Sequence, residues 1–304
     1  MQNSQPQPKN PWIGVIYIVV SALFYSLMSL FVRLAGDLPV FQKSFFRNLV
    51  AAFLGLGILL KSRSLKMKKG SLPSLIARSI AGTLGILCNF YAIDRMNISD
   101  ASILNKLAPF FSIVFSAFLL GEKASAKDWI LVAVAFSGAL FVVKPSFDFS
   151  KSIPATLGVL GGLSAGLAYT FVRKLGKRGE RNAVIVFFFS TFSCLTMLPF
   201  VIAQYEPMTW AQLGFLLLAG CSAGGAQLSV TAAYTYAQAK EISVYDYSQV
   251  LFTAIWGASF LGEFPDWWSV LGYAIIIGAA VMKALFAHRE KREKTKEERG
   301  QVCD

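Results

Sequence analysis

The chain has 304 residues, of which 55% are hydrophobic and 14% aromatic, with only 15% charged and a mean hydropathy of +0.54. That is more apolar than a soluble domain of this size needs, so a water-soluble enzyme or binding module is excluded and an integral membrane protein is indicated. The formal net charge of +12 could serve nucleic acid, but the Lys and Arg residues fall in short runs between apolar segments rather than on one folded face. That placement fits loops beside a membrane and argues against a nucleic-acid partner.

In chain order, a polar stretch at 1–11 precedes apolar segments at 12–35, 40–60, 72–93, 98–120, 128–145, 154–174, 182–204, 209–236, 241–262 and 266–287, and a basic tail follows at 288–304. Each segment is long enough to cross about 30 Å of hydrocarbon as a helix. The apolar runs are continuous rather than alternating, which excludes a barrel, and the expected fold class is an all-α integral membrane protein with ten transmembrane helices. The first span lacks a small-residue cleavage site and is expected to be retained rather than removed as a signal peptide. Turn chemistry separates the spans, as at Gly36, Asp37 and Pro39 or Phe264, Pro265 and Asp266. Most Lys and Arg fall in alternate connections, among them Lys61, Arg63, Lys66, Lys127, Arg173, Lys174 and Arg178, together with the tail. By the positive-inside rule that side is cytoplasmic, and both termini are expected there.

The triplet Leu120, Gly121, Glu122 recurs as Leu261, Gly262, Glu263. At the same offset Ala92 faces Ala233, Ser102 faces Ser243, Phe111 faces Phe252 and Ala117 faces Ala258, while the edges of the first and sixth spans match through Arg33 and Arg173. These correspondences define a duplication, with a first five-helix repeat at 12–145 and a second at 154–287. Because five is odd, the second copy must be inverted in the membrane. Inverted repeats of this kind are the recurring architecture of secondary transporters.

The segment FYAIDRMNISDASILNKLAPFFSIVFSAFLLGEK (90–123), with Pro109 in mid-span, and its counterpart EISVYDYSQVLFTAIWGASFLGE (241–263) resemble the drug/metabolite transporter superfamily, specifically its EamA-type ten-helix exporters. The resemblance covers essentially 12–287. Val250 stands where the first copy has Pro109, which argues against identical bends in the two fourth helices. The resemblance implies a central cavity lined by spans 1 to 4 and 6 to 9, with spans 5 and 10 outside it. It implies export of small organic metabolites without fixing one cargo.

Charges inside spans are costly and are functional candidates by default. Lys106 lies about 12 Å below the outer surface at 1.5 Å per residue, and Arg47 is about as deep. Arg33 and Lys43 lie nearer that face and are expected to snorkel to the outer headgroups. Asp246 enters the ninth span from the cytoplasmic side, with Arg78 at similar depth in the third; these two are expected to form an inner gate. A Lys106–Asp246 bridge is disfavoured by a depth difference of about 10 Å. Candidate binding residues in the lining spans are Tyr25, Ser29, Arg47, Asn89, Asn105, Lys106, Tyr169, Gln227, Tyr234, Tyr245 and Gln249, whose amides, phenols and charges suit a mixed polar and aromatic metabolite. The series Gly158, Gly162, Gly166 in the sixth span is read as tight packing within the bundle. Glu122 and Glu263, at helix C-termini where a carboxylate is disfavoured, are given a structural role, offset by a nearby cation or a helix N-terminus.

The one histidine, His288, lies in the tail, and Cys88, Cys194, Cys221 and Cys303 show no metal spacing. No metal, cofactor or catalytic cluster is expected, and the protein is not expected to be an enzyme. The expected function is secondary transport, as an exporter of amino acids or related zwitterions by alternating access. The alternative is an exchanger of organic anions, nucleotide conjugates or S-adenosylmethionine-type solutes. The expected setting is the inner (plasma) membrane, as a multi-pass monomer or homodimer whose partners are the bilayer and a small-molecule substrate.

Overall fold

The computed structural model describes residues 11–61, 67–121, 125–144, 149–236 and 245–300. Helices α1 (Pro11–Leu34), α2 (Val40–Lys61) and α3 (Leu72–Arg95) are the first three spans, α4 (Ile98–Asn105) with α5 (Ala108–Leu120) the fourth, and α6 (Ala126–Val143) the fifth. Helices α7 (Phe149–Lys177), α8 (Asn182–Ala203) and α9 (Trp210–Tyr236) are spans six to eight. A 3₁₀ turn at Tyr245–Tyr247, α10 (Ser248–Trp256) and a π-turn at Gly257–Leu261 belong to the ninth, and α11 (Trp267–Gly300) carries the tenth. Among the described residues nine spans are continuous enough and apolar enough to cross a membrane; the ninth is the exception because it is assembled from short pieces. Phe53, Phe118, Ile130, Leu195, Ile202 and Leu251 lie exposed along the outside, the surface a lipid-facing helix should present.

The most extensive contacts join α1 to α9, α3 to α7, α2 to α8 and α6 to α11, and α10 packs on α4. In span numbers these pairs are 1 with 8, 3 with 6, 2 with 7, 5 with 10 and 4 with 9. Exchanging each span for its counterpart in the other repeat maps this set onto itself, so the packing obeys the two-fold that the duplication requires. The inversion is visible directly. Glu263, just past the end of the ninth span, accepts from the backbone N–H of Ile98 at the start of the fourth, at 3.0 Å, so the two fourth helices run antiparallel.

The repeated Leu-Gly-Glu has a backbone cause. Gly121 and Gly262 adopt φ of 63° and 66° and donate their N–H groups to Ser116 and Gly257, five residues back. A left-handed cap of this sort suits glycine, which lacks the Cβ that would clash there. The two helices nevertheless reach that cap differently. Pro109 removes one amide N–H, and the fourth span breaks at Lys106 and Leu107. The ninth span keeps Val250 within α10 and ends instead in the π-turn.

The glycines of α7 let it seat against that break. A Cβ added at Gly162 would lie 2.6 Å from the carbonyl oxygen of Leu104, and one at Gly166 would lie 2.7 Å from that of Ala108. Gly162→Ala is therefore expected to cost about 1–3 kcal/mol through overpacking against backbone that cannot swing away. Gly57→Ala, where a Cβ would meet nothing within 4 Å, should stabilise its helix by about 0.5–1 kcal/mol. Melting temperatures of the two purified variants should move in opposite directions; equal shifts would refute the close approach.

Short clips fasten the loops at both faces in a symmetric way. On the Glu263 face the Gln42 side chain donates to the Glu206 carbonyl (2.9 Å) and accepts from the Glu206 N–H (3.1 Å). On the opposite face the Glu180 carboxylate accepts from the N–H groups of Lys68 (2.9 Å) and Arg181 (3.2 Å), and Arg178 donates to the Gly70 carbonyl. Burial pushes the Glu180 carboxyl up, but the Lys68 and Arg181 donors outweigh it and hold the group below the ordinary range. Asp266 is depressed likewise, burial being outweighed by its bond to Lys144. A depressed carboxylate adds stability above its unfolded pKa and loses it as pH falls through the folded value. Thermal stability is therefore expected to fall below about pH 4, with Glu180→Gln flattening the decline.

Candidate functional site

A cavity of about 130 Å³ lies between the repeats, room for about four waters or a small metabolite. Its wall takes Tyr25 and Met28 from α1, Arg47 from α2, Arg78, Gly82 and Asn89 from α3, Asn105 and Lys106 from the α4 end and the break, Tyr169 from α7, Phe189 from α8, Gln227 from α9 and Gln249 from α10. Helices α6 and α11 contribute none, so the fifth and tenth spans stand outside it.

The polar wall is built in three clusters. Gln227 donates to the Tyr25 hydroxyl at 2.6 Å. Arg47, only 5% exposed, donates one Nη1–H to Asn48 at 2.7 Å while its Nε has no partner. Arg78, 9% exposed, lies with its guanidinium carbon 3.6 Å from the centroid of the Phe189 ring, and neither its Nε nor its Nη1 finds an acceptor. Such stacking orients a planar cation, two of whose N–H groups are buried without an acceptor. A Cβ at Gly82 would come within 2.8 Å of both Arg78 Nη1 and the Phe189 ring, so that glycine makes room for the stack. Gly82→Ala is expected to part the guanidinium from the ring and weaken substrate binding several-fold, with some loss of melting temperature because the buried Phe189 ring must move as well as the end of Arg78.

The third cluster fastens the two broken spans together. Lys106 Nζ donates to Asp246 Oδ2 at 2.5 Å, and the Tyr247 hydroxyl donates to the Lys106 carbonyl at 3.0 Å. That carbonyl is free because the Phe110 N–H turns to Leu107 instead. A buried phenol thus replaces the amide donor that the break removes.

Arg78 and Asp246, the expected gate pair, are not bonded to each other in this structure: Asp246 accepts from Lys106, and Arg78 lies on the Phe189 face. The depth ruler fails because it assumes straight helices. The fourth span breaks at Lys106 itself, Asp246 sits in a 3₁₀ turn ahead of α10, and a lysine adds the reach of a four-carbon stem. Two binding candidates lie off the cavity. Ser29 is buried with its hydroxyl donating to the Tyr25 carbonyl at 3.2 Å, and Tyr245 points outward, because in a one-turn helix it is Tyr247 that faces in. The side chain of Tyr234, and Glu122, lie outside the described residues. Tyr25, Arg47, Asn89, Asn105, Lys106, Tyr169, Gln227 and Gln249 do share the one cavity, as does Arg78. Phe189 escaped notice because it sits in a run of three phenylalanines, where apolar periodicity cannot say which one turns inward.

Nor do Arg33 and Lys43 reach for headgroups. Arg33 pairs with Glu263 at 2.6 Å and donates to the Ile93 carbonyl at 2.8 Å, while Lys43, fully buried, pairs with Asp94 at 2.6 Å. Glu263 is thereby offset by a cation and by a helix N-terminus, that of α4. These bonds tie the ends of spans 1, 3 and 9 to the starts of spans 2 and 4 on the Glu263 face.

Known proteins match this architecture. The model of the EamA-like transporter family matches residues 12–144 and again 152–284. The pseudopaline exporter CntI of Pseudomonas aeruginosa (strain UCBPP-PA14) is 32% identical over 270 residues, covering 88% of this chain and 94% of its own. An uncharacterized transporter of Helicobacter pylori (strain ATCC 700392 / 26695) is 27% identical over 281 residues, 90% of this chain and 94% of its own. Solute carrier family 35 member G1 of Mus musculus is 25% identical over 287 residues, 88% and 77%. A solved crystal structure superposes with a TM-score of 0.66 at 16% identity, covering 90% of this chain and 98% of that one, a likeness of fold. Two family matches on two antiparallel sets of five spans, around one cavity, lead to one conclusion: the chain is a multi-pass membrane transporter that belongs to the EamA-like transporter family.

Proposed function

We propose that the protein exports small organic metabolites, amino acids or related zwitterions, by alternating access around the cavity between its repeats. In this reading it sits in the inner (plasma) membrane with both termini cytoplasmic, and the Glu263 face is the outer one. The observation that carries the reading is a polar, aromatic-lined cavity walled by both repeats, with Arg33, Glu263 and the α4 N-terminus bonded together across the ends of the spans. Inverted repeats supply the geometry for opening to either side in turn. That a relative of similar length carries the name of an exporter favours the outward direction. The binding residues are Tyr25, Asn89, Asn105, Lys106, Tyr169, Gln227 and Gln249, with Arg47 and Arg78 as cationic contacts.

A second reading keeps the cavity and changes the cargo to organic anions, nucleotide conjugates or S-adenosylmethionine-type solutes; the two buried guanidiniums favour its anionic members. Thermal-shift screening of the purified protein against amino acids, nucleosides, S-adenosylmethionine, polyamines and sugar phosphates, followed by proteoliposome flux, decides. Stabilisation and flux by an amino acid or zwitterion is the expected result. Absence of both for every organic solute would sink the transport reading.

A further inference from the structure

We infer that the preferred solute is an amino-acid-like zwitterion bearing a second acidic group, received between Arg47 and Arg78 while its ammonium end meets Asp246. The inference rests on the proposed transport reading and sharpens it to a substrate class.

Charge accounting comes first. The described cavity wall holds Arg47, Arg78 and Lys106 and no carboxylate of its own; Asp246, bonded to Lys106 and 29% exposed at its side chain, is the nearest acidic partner. Two positive charges thus remain in the wall. Both arginines are more than nine-tenths buried, and Arg47 Nε, Arg78 Nε and Arg78 Nη1 lack acceptors. Buried N–H groups of a cation are costly to leave unpaired, so a solute that supplies acceptors there gains more than the same solute would in water. A single carboxylate has two oxygens and can serve one guanidinium fork well. Two forks from different helices, one fixed flat on Phe189, call for a second anionic group.

The remaining chemistry orients the other end. Asp246, bonded to the cavity-lining Lys106 and 29% exposed at its side chain, is the carboxylate that a solute ammonium at that end of the cavity would share. Asn89 Oδ1 and Ser102 Oγ, both buried without a partner, add an acceptor and a hydroxyl on the same wall. A neutral or cationic solute would leave both arginines without a counter-charge, and a dianion with no amine would leave Asp246 unused.

The test is a ligand ladder measured by calorimetry on the full-length protein in nanodiscs: alanine, glutarate, glutamate and O-phosphoserine. Glutamate or O-phosphoserine should bind about ten- to a hundred-fold tighter than alanine, the value of an added charge-assisted hydrogen-bonded group, with glutarate in between. Which of the two binds tighter identifies the second group as carboxylate or phosphate. Arg78→Gln and Arg47→Gln should each weaken glutamate and O-phosphoserine more than alanine and so remove that advantage. Arg78→Lys should restore only part of it, since an ammonium cannot stack on Phe189 as a planar fork does. Equal affinity for alanine, glutamate and O-phosphoserine in the unmodified protein overturns the inference without any variant being needed. So does an equal loss for all four ligands in the arginine variants. Flux of alanine under those outcomes would leave the transport reading standing, whereas absence of flux for every solute would remove both.

Discussion

Asp246→Ala is expected to abolish transport and to lower stability by about 2–3 kcal/mol, somewhat less than the loss for a fully buried ion pair because the carboxylate is partly open. Its partner Lys106 is only 8% exposed, sits at the break in the fourth span, and has no other acidic group in the described cavity wall. Removing Asp246 leaves a cation facing Arg47 and Arg78 across a small space. The structural and functional parts of the loss can be separated. A Lys106→Met/Asp246→Leu double variant removes both charges and should regain most of the melting temperature, because an apolar pair suits the interface between α4 and α10. Transport should stay lost. Recovery of flux in the double variant would show that the pair serves only to hold the two spans.

Glu263→Ala is expected to loosen the Glu263 face and shift the resting population toward a form open there. The carboxylate serves two groups at once, Arg33 at 2.6 Å and the Ile98 N–H at 3.0 Å. Its removal orphans a helix N-terminus and unties a cation, at a cost of about 1–3 kcal/mol. Glu263→Gln keeps an acceptor for Ile98 and loses the charge, so it should fall between. A single cysteine placed at Asn105, with the native cysteines replaced, reports the change: an impermeant maleimide added on the Glu263 side of the membrane should label it faster in Glu263→Ala than in the parent. Unchanged labelling would mean that the network is not a seal.

Charge was the most legible signal. Arg47, Arg78 and Lys106 stand out because an ionisable group inside an apolar span has few benign explanations, and all three do face one cavity. The ten spans and their inversion were legible too, because the Leu-Gly-Glu repeat marks a glycine that the backbone requires. Three-dimensional pairing was harder. Arg33 looked like a headgroup anchor because its partner Glu263 lies 230 positions away, and nothing local shows that the ends of spans 1 and 9 meet. Asp246 was assigned to the wrong cation because Pro109 predicts a bend but not its direction, and the 3₁₀ turn ahead of α10 has no sequence signature of its own. Ser29 and Tyr245 show the limit of reading a polar side chain in a lining helix as pore-facing, since one turn of rotation decides between a cavity and a backbone carbonyl.

The pairing of spans carries a consequence for how such a chain could be assembled. Every extensive helix contact joins one repeat to the other: 1 with 8, 2 with 7, 3 with 6, 5 with 10. Neither repeat is a five-helix bundle in its own right. Each is closer to one subunit of an obligate, interlaced dimer whose two members happen to share a polypeptide. Severing the chain between them should yield fragments that cannot mature separately but complement one another when made together. An ancestor of half this length would have had to insert in both orientations to find its mate.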